Sequence, residues 1–231
     1  MIETLPFTAL FLGFLLGLAH AFDPDHVVAV GTLAADSENL RQSSWLGVCW
    51  GLGHTVTLTV VGGMVLILKW TIPVQVAMRL EGLVGMMIVL LGANIVWNVS
   101  RGWTVHAHTH SHDGSTHSHL HLHAHQEESH RHHKNWSAKK ACGVGMVHGV
   151  AGSAALSMTV LSAMPSTGVG LIYILLFGAG SMGGMALMSA AMGVPFVWGS
   201  SKWKQWIQPL KAVVGVLAIV FGSYLTYTVL I

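Results

Sequence analysis

The chain contains few charged residues and almost no cysteine. Only 9% of its 231 residues are charged, whereas a soluble globular domain carries about a quarter. Two cysteines, Cys49 and Cys142, are too few and too far apart for a disulfide scaffold or a zinc knuckle. The net charge of +2 lacks the strong positive excess of a nucleic-acid-binding protein. These absences point to a membrane protein.

Long apolar runs are what the sequence has in place of charge. Hydrophobic residues make up 52% of the chain, and its mean hydropathy is +0.60. Six runs are long enough to cross about 30 Å of hydrocarbon, which predicts an all-α membrane protein with six transmembrane helices in a lipid bilayer. They lie near 5–30, 44–68, 80–99, 139–163, 168–192 and 208–230. The start of the chain lacks the basic region of a cleavable signal, so we expect the first run to be retained.

The two halves of the chain resemble each other. The aligned segments are 17–28 with 145–156, 50–56 with 177–183, and 82–94 with 212–224. The first pair places His20 on His148, and the second places His54 on Ser181. Because each half has three spans, the halves must cross the membrane in opposite senses. The alignment therefore predicts two inverted three-helix repeats, 1–99 and 139–231.

Positive charge is distributed unevenly between the two predicted sides of the membrane. Nine of the eleven Lys and Arg residues fall on one side, and only Lys69 and Arg79 fall on the other. The positive-inside rule then places the loops 36–43, 100–138 and 201–208 in the cytoplasm. We therefore expect a multi-pass protein of the inner (plasma) membrane with both termini outside.

A cluster of polar residues interrupts the first apolar run. His20, Asp23, Asp25 and His26 lie within "HAFDPDH", and His54 follows in the second span. An ionised Asp at the bilayer centre costs roughly 2.5–3.5 kcal/mol, and no Lys or Arg lies within ten residues of the cluster. A bound divalent cation would supply the missing positive charge. The expected ligands are His20, Asp25, His26 and His54, with Asp23 and His148 as further candidates.

Pro24 predicts that the first helix is broken at 20–24. Proline lacks an N–H, and its ring would clash with the carbonyl of residue 20. Broken backbone is tolerated at membrane depth where it faces protein or a water-filled cavity. A break could turn His20 and His26 toward one point. The alternative is a simple turn at Asp23 and Pro24 with Asp25 capping the next helical piece, which leaves the role of Asp23 open.

The donor set favours a borderline transition metal. Imidazole and carboxylate without a neighbouring thiolate suit Ni²⁺, Co²⁺ or Zn²⁺, whereas Mg²⁺ and Ca²⁺ prefer oxygen ligands. The spacing does not choose among the first three. His148 has no acid nearby in the sequence, so a structural or gating role is favoured for it, and ligation is the alternative.

The segment 100–138 contains most of the histidine. Twelve of the sixteen histidines fall within 106–133, and the segment shows no apolar periodicity. We expect an unstructured cytoplasmic loop, and the H-x-H alternation is not interpreted as a strand. Such tracts bind Ni²⁺, Zn²⁺ or Cu²⁺ with little selectivity, which favours buffering or sensing. The alternative is a solvated spacer.

Two motifs carry a resemblance to a known family. His20, Asp25 and His26 form H-x4-D-H within a span, and "LGHTVTL" at 52–58 follows in the next. This pairing resembles the signature of the nickel/cobalt transporter (NiCoT) family and its urease-associated nickel permease relatives. The resemblance implies transport of Ni²⁺ or Co²⁺ in which the motif residues, including His54, are essential.

The same resemblance implies uptake that supplies a nickel enzyme such as urease, with a metallochaperone of that enzyme as a candidate partner. Six spans match the shorter urease-associated branch, whereas the long histidine-rich loop is more reminiscent of the efflux branch. The direction of transport therefore stays open.

Two other functions explain less of the sequence. A membrane thiol redox carrier with inverted repeats would place its cysteines at equivalent positions, but Cys142 maps onto Phe14 rather than Cys49. A metalloprotease would need an H-E-x-x-H motif, and none is present. We therefore expect a transporter without a resident cofactor, and not an enzyme.

Overall fold

Helices make up nearly all of the chain that the structure describes. The computed structural model describes residues 4–69, 72–101, 103–112, 115–124, 138–159, 166–197 and 204–230. Its elements are α1 (Thr4–His20), α2 (Pro24–Ala35), α3 (Leu40–Leu68), α4 (Val74–Arg101), β1 (Trp103–His112), β2 (Ser115–Ala124), α5 (Ala138–Thr159), α6 (Thr167–Val197) and α7 (Lys204–Leu230). Outside the two strands, the described chain has the expected all-α architecture.

The predicted break at Pro24 is confirmed. Helix α1 ends at His20 and α2 begins at Pro24, with Asp23 in an extended conformation before it. Because Pro24 has no N–H to offer the His20 carbonyl, the Asp23 amide donates to that carbonyl instead, at 3.0 Å. The break therefore places His20 and His26 on separate helices.

Four helices are long and apolar enough to cross a membrane. Within the described ranges these are Leu40–Leu68, Val74–Arg101, Thr167–Val197 and Trp206–Val229, and Thr8–His20 is a shorter apolar helix. Large apolar side chains remain exposed on these helices, including Val60, Leu90 and Leu187. Helices that are apolar on all sides belong in a membrane, so the fold is that of a multi-pass membrane protein.

The core lies where α2 packs among α3, α4, α6 and α7. Trp50, Ile88 and Met185 are among its largest fully buried residues. Ser43 and Ser189 are buried there as well, and each hydroxyl donates to the carbonyl of the other residue at 2.6 Å. These paired hydrogen bonds hold α3 against α6, as interhelical hydroxyl contacts do in membrane bundles.

Part of the histidine-rich segment forms an antiparallel hairpin. Strand β1 pairs with β2, and the register sets His106 opposite His121 and His108 opposite His119. The expectation that this segment has no strand is therefore wrong for residues 103–112 and 115–124. An antiparallel ladder is formed by backbone hydrogen bonds, so it does not require the apolar face on which a strand prediction rests.

Glycines let two pairs of helices approach closely. A Cβ added at Gly17 would overlap the Phe177 carbonyl, and one at Gly180 would overlap the Phe14 carbonyl, so α1 and α6 touch backbone to backbone. Helices α3 and α5 do the same, because Gly53 meets the Cys142 carbonyl and Gly145 meets the Trp50 carbonyl. Small residues at helix contacts allow this approach in membranes.

Replacing Gly145 with alanine is expected to destabilise the fold. The added methyl group would overlap the Trp50 carbonyl, so α3 and α5 must separate, and overpacking of this kind costs about 1–3 kcal/mol. Gly143→Ala is the matched control on α5, because no described atom lies within 4 Å of its added Cβ. Thermal unfolding of the purified chain should give a lower midpoint for Gly145→Ala only. Equal midpoints for the two variants would contradict the close packing.

Candidate metal site

Three histidines from three helices converge at the break between α1 and α2. His20 ends α1, His26 lies in the first turn of α2, and His54 lies at the middle of α3. Their ring centroids are 4.5 Å apart for His20 and His26, 5.4 Å for His20 and His54, and 5.3 Å for His26 and His54. One ring nitrogen from each lies within 4.8 Å of the others, so this first histidine set could hold a metal ion.

Two carboxylates orient two of these rings. His20 Nδ1 donates to Asp23 Oδ2 at 2.6 Å, and His26 Nδ1 donates to Asp25 Oδ1 at 3.1 Å. A carboxylate on one nitrogen fixes the orientation of a metal-ligating imidazole and raises the basicity of the other nitrogen. In both rings, Nε2 is then the nitrogen that remains for binding a metal ion.

The second half of the chain contributes His148, from α5. Its Nε2 donates to Asp25 Oδ2 at 2.8 Å, and its ring centroid lies 4.1 Å from that of His26. Asp25, His26 and His148 form a second set whose ligand atoms lie within 4.8 Å of one another. Trp50 lies against both imidazoles, with its ring centroid 5.5 Å from each. The indole thus forms one wall of the cluster.

Several ring nitrogens of the cluster are buried and have no hydrogen-bond partner within the described part of the chain. They are Nε2 of His20, Nε2 of His26, both nitrogens of His54 and Nδ1 of His148. An unpaired buried polar atom costs about 1–3 kcal/mol, so a ligand that bonds these atoms would recover that cost. Imidazole nitrogens of this kind are ligands for Ni²⁺, Co²⁺ and Zn²⁺.

Gly152 keeps space open beside the donor nitrogens. A Cβ added there would lie 3.8 Å from His20 Nε2 and 4.0 Å from His54 Nε2. Gly152 follows His148 by four residues, so both lie on the same face of α5. The absence of a side chain at 152 therefore lets α5 lie close to the His20 and His54 rings.

The aspartates lie on the open side of the cluster. The Asp23 side chain is 51% exposed and that of Asp25 is 30% exposed, whereas His54 is fully buried. Among the described residues, the ion pairs of both aspartates are with histidine, and Lys211 pairs with Asp36 elsewhere. The cluster thus has acidic groups toward the exposed side and imidazole nitrogens inside.

The structure brings together His20, His26 and His54, as the sequence predicted, and places Asp25 beside them. Asp23 is not a free turn residue, because it accepts from His20. His148 lies in the cluster as well, beside Asp25 and His26. Ligation itself stays a prediction for all six residues.

Sequence reasoning missed Trp50 and Gly152 as members of the site. Helical spacing from His54 and His148 could have found both, since Trp50 precedes His54 by four residues and Gly152 follows His148 by four.

Comparisons with known proteins agree with this chemistry. The family model NicO, described as a high-affinity nickel-transport protein, matches residues 7–229. The chain is 36% identical over 219 residues to a protein named "Urease accessory protein UreH" from Bacillus sp. (strain TB-90), covering 94% of this chain and 89% of that protein. No solved structure shows a significant match.

Proposed function

This chain belongs to the NicO family of high-affinity nickel-transport proteins, and on that premise we propose that it carries Ni²⁺ across the membrane through the buried histidine cluster. The observation that carries the proposal is the convergence in one buried place of ring nitrogens from His20, His26 and His54 that have no hydrogen-bond partner among the described residues. Co²⁺ fits the same donors.

The ion is proposed to bind the first histidine set. Asp23 and Asp25 would orient the His20 and His26 rings through hydrogen bonds. Nickel–imidazole bonds of about 2 Å, like those of zinc, would be satisfied by a small inward movement of nitrogens that already lie within 4.8 Å of one another. Water molecules would complete the coordination, because Gly152 leaves space there. The exposed carboxylates would attract the cation to the site.

Six spans in two inverted repeats are proposed as the frame of this site, with α1 and α2 together as the first span. The glycine contacts support this frame. A contact between a glycine of the first half and a residue of the second half recurs between the two aligned residues, with the halves exchanged. Gly17 meets Phe177 as Gly145 meets Trp50, and the alignment offsets of 128 and 127 residues pair these four positions. Transport sites lie near the midplane between such repeats, and the position of His54 at the middle of α3 is consistent with that depth.

The proposed direction is uptake through the inner membrane to supply a nickel enzyme such as urease. The name of the UreH relative supports that link. Both termini are proposed to lie outside, and the histidine-rich segment is proposed to lie in the cytoplasm as a metal buffer. A metallochaperone of the nickel enzyme would receive the ion there.

Nickel flux into proteoliposomes tests the proposal. Vesicles containing the full chain should accumulate radioactive Ni²⁺ saturably, with Co²⁺ competing and Mg²⁺ ineffective, because imidazole donors bind Mg²⁺ poorly. A divalent-cation ionophore then separates transport from adsorption, since it releases ions from the lumen but not ions held by the histidine-rich segment. Accumulation no greater than in protein-free vesicles would overturn nickel transport.

Nickel content of cells tests the direction. Cells expressing the chain should hold more nickel than controls at low external concentration. A lower content would overturn uptake in favour of efflux through the same site.

A further inference from the structure

Two sets of metal-ligating atoms overlap in the cluster and share one residue. The first comprises His20, His26 and His54, and the second comprises Asp25, His26 and His148. The first set comes from one half of the chain, whereas the second draws His148 from the other half, 123 residues away from Asp25. The two sets are therefore neighbouring positions that span both halves.

His26 faces the two sets with different ring nitrogens. Its Nδ1 lies 3.1 Å from Asp25 Oδ1, on the side of the second set. Its Nε2 is buried, has no partner among the described residues, and is the donor left for the first set. One imidazole thus stands between two places where an ion could bind.

We propose that the transported Ni²⁺ occupies both positions in turn, and that His148 and Asp25 are direct ligands in the second. This inference rests on the proposed function, because it divides the transport site into two steps. The ion would leave His20, His54 and Nε2 of His26, and would then bind Asp25, His148 and Nδ1 of the same His26 ring. The exchange of ligands thereby passes the ion from a site made by the first half of the chain to one that includes a residue of the second half.

Binding at the second position replaces two hydrogen bonds to Asp25. In the structure the Asp25 carboxylate accepts from His26 Nδ1 and His148 Nε2. To bind the ion at those atoms, each ring must carry its proton on the opposite nitrogen, through exchange with water. The opposite nitrogens, His26 Nε2 and His148 Nδ1, have no partner within the described chain.

The His148→Gln variant distinguishes two roles of His148, direct binding of the metal ion and orientation of Asp25 by a hydrogen bond. The glutamine amide nitrogen can still donate to Asp25, so a hydrogen-bonding role would be retained, but an amide is a poor ligand for Ni²⁺. We expect Ni²⁺ transport by His148→Gln to fall at least tenfold, while anomalous scattering from crystals grown with Ni²⁺ still places an ion at the first set. Met146→Ala, exposed on α5, is the control and should transport as the unchanged protein does.

His54→Ala provides the complementary arm, and it does not depend on how His148→Gln folds. Without His54, the ion should be found only among Asp25, His26 and His148. The inference is overturned if His148→Gln transports within twofold of the unchanged protein, or if the ion in His54→Ala crystals lies elsewhere. A wild-type chain that shows ions at both sets but moves no nickel would overturn the transport function and leave the two positions standing.

Discussion

Replacing His26 with alanine is expected to reduce saturable Ni²⁺ transport by at least about 100-fold. His26 belongs to both ligand sets, so its loss removes a donor from every position that the ion is proposed to occupy. Removing an outer-shell partner of a metal ligand already lowers metal affinity or activity 10–100-fold. Removing a ligand that two positions share should lower transport by at least as much. The measurement is ionophore-releasable Ni²⁺ in proteoliposomes, as a function of concentration.

Two further variants test whether that loss of transport arises at this site. His110→Ala makes the same chemical change in the histidine-rich segment, which contains twelve of the sixteen histidines, and it should leave transport within twofold of normal. His26→Gln keeps most of the buried volume against Trp50, so it limits cavity formation, and it should still abolish transport. Retention of more than half of the transport rate by His26→Ala would show that the ion does not use this cluster.

Local sequence chemistry predicted much of this site. Pro24 predicted the break because its missing N–H and its ring act on the residue four positions earlier, whatever the rest of the chain does. The charge argument singled out His20, Asp25 and His26 because buried carboxylates need a compensating charge. Both conclusions depend on residues within one turn or two of each other.

The same reasoning could not predict contacts between helices that are far apart in the sequence. The Asp25 carboxylate contacts His148 because α5 approaches α3 through Gly53 and Gly145, and nothing in the acid-free neighbourhood of His148 shows that approach. Asp23 was ambiguous for a similar reason. It precedes α2 at the N-cap position, but its side chain makes no cap hydrogen bond and instead accepts from His20.

The hairpin shows a different limit. The sequence of the histidine-rich segment alternates with a period of two, but it lacks the apolar face on which a strand prediction rests. Pairing of β1 with β2 follows from backbone hydrogen bonds in register, and these make no demand on side-chain polarity. Composition alone therefore could not distinguish a hairpin from an unstructured segment.

Filling the space at Gly152 is expected to block the site without removing any ligand. An alanine Cβ would lie 3.4 Å from His54 Cε1, 3.8 Å from His20 Nε2 and 4.0 Å from His54 Nε2. Those distances allow the methyl group itself, but they leave less room for the water ligands of an ion. Gly152→Ala should therefore lower Ni²⁺ transport several-fold. Gly152→Leu should abolish it, because the longer side chain must occupy the space between the donor nitrogens.

The graded series distinguishes blocking from misfolding. Gly143→Leu adds the same side chain to α5 at a position where no described atom lies within 4 Å of the new Cβ, so transport and the unfolding midpoint should both stay close to normal. Gly152→Leu should keep a folded chain and lose the Ni²⁺ density at His20 and His54. If Gly152→Leu transported nickel at the rate of Gly143→Leu, the ion would have to pass elsewhere, because a leucine and a hydrated cation cannot share the space beside His54.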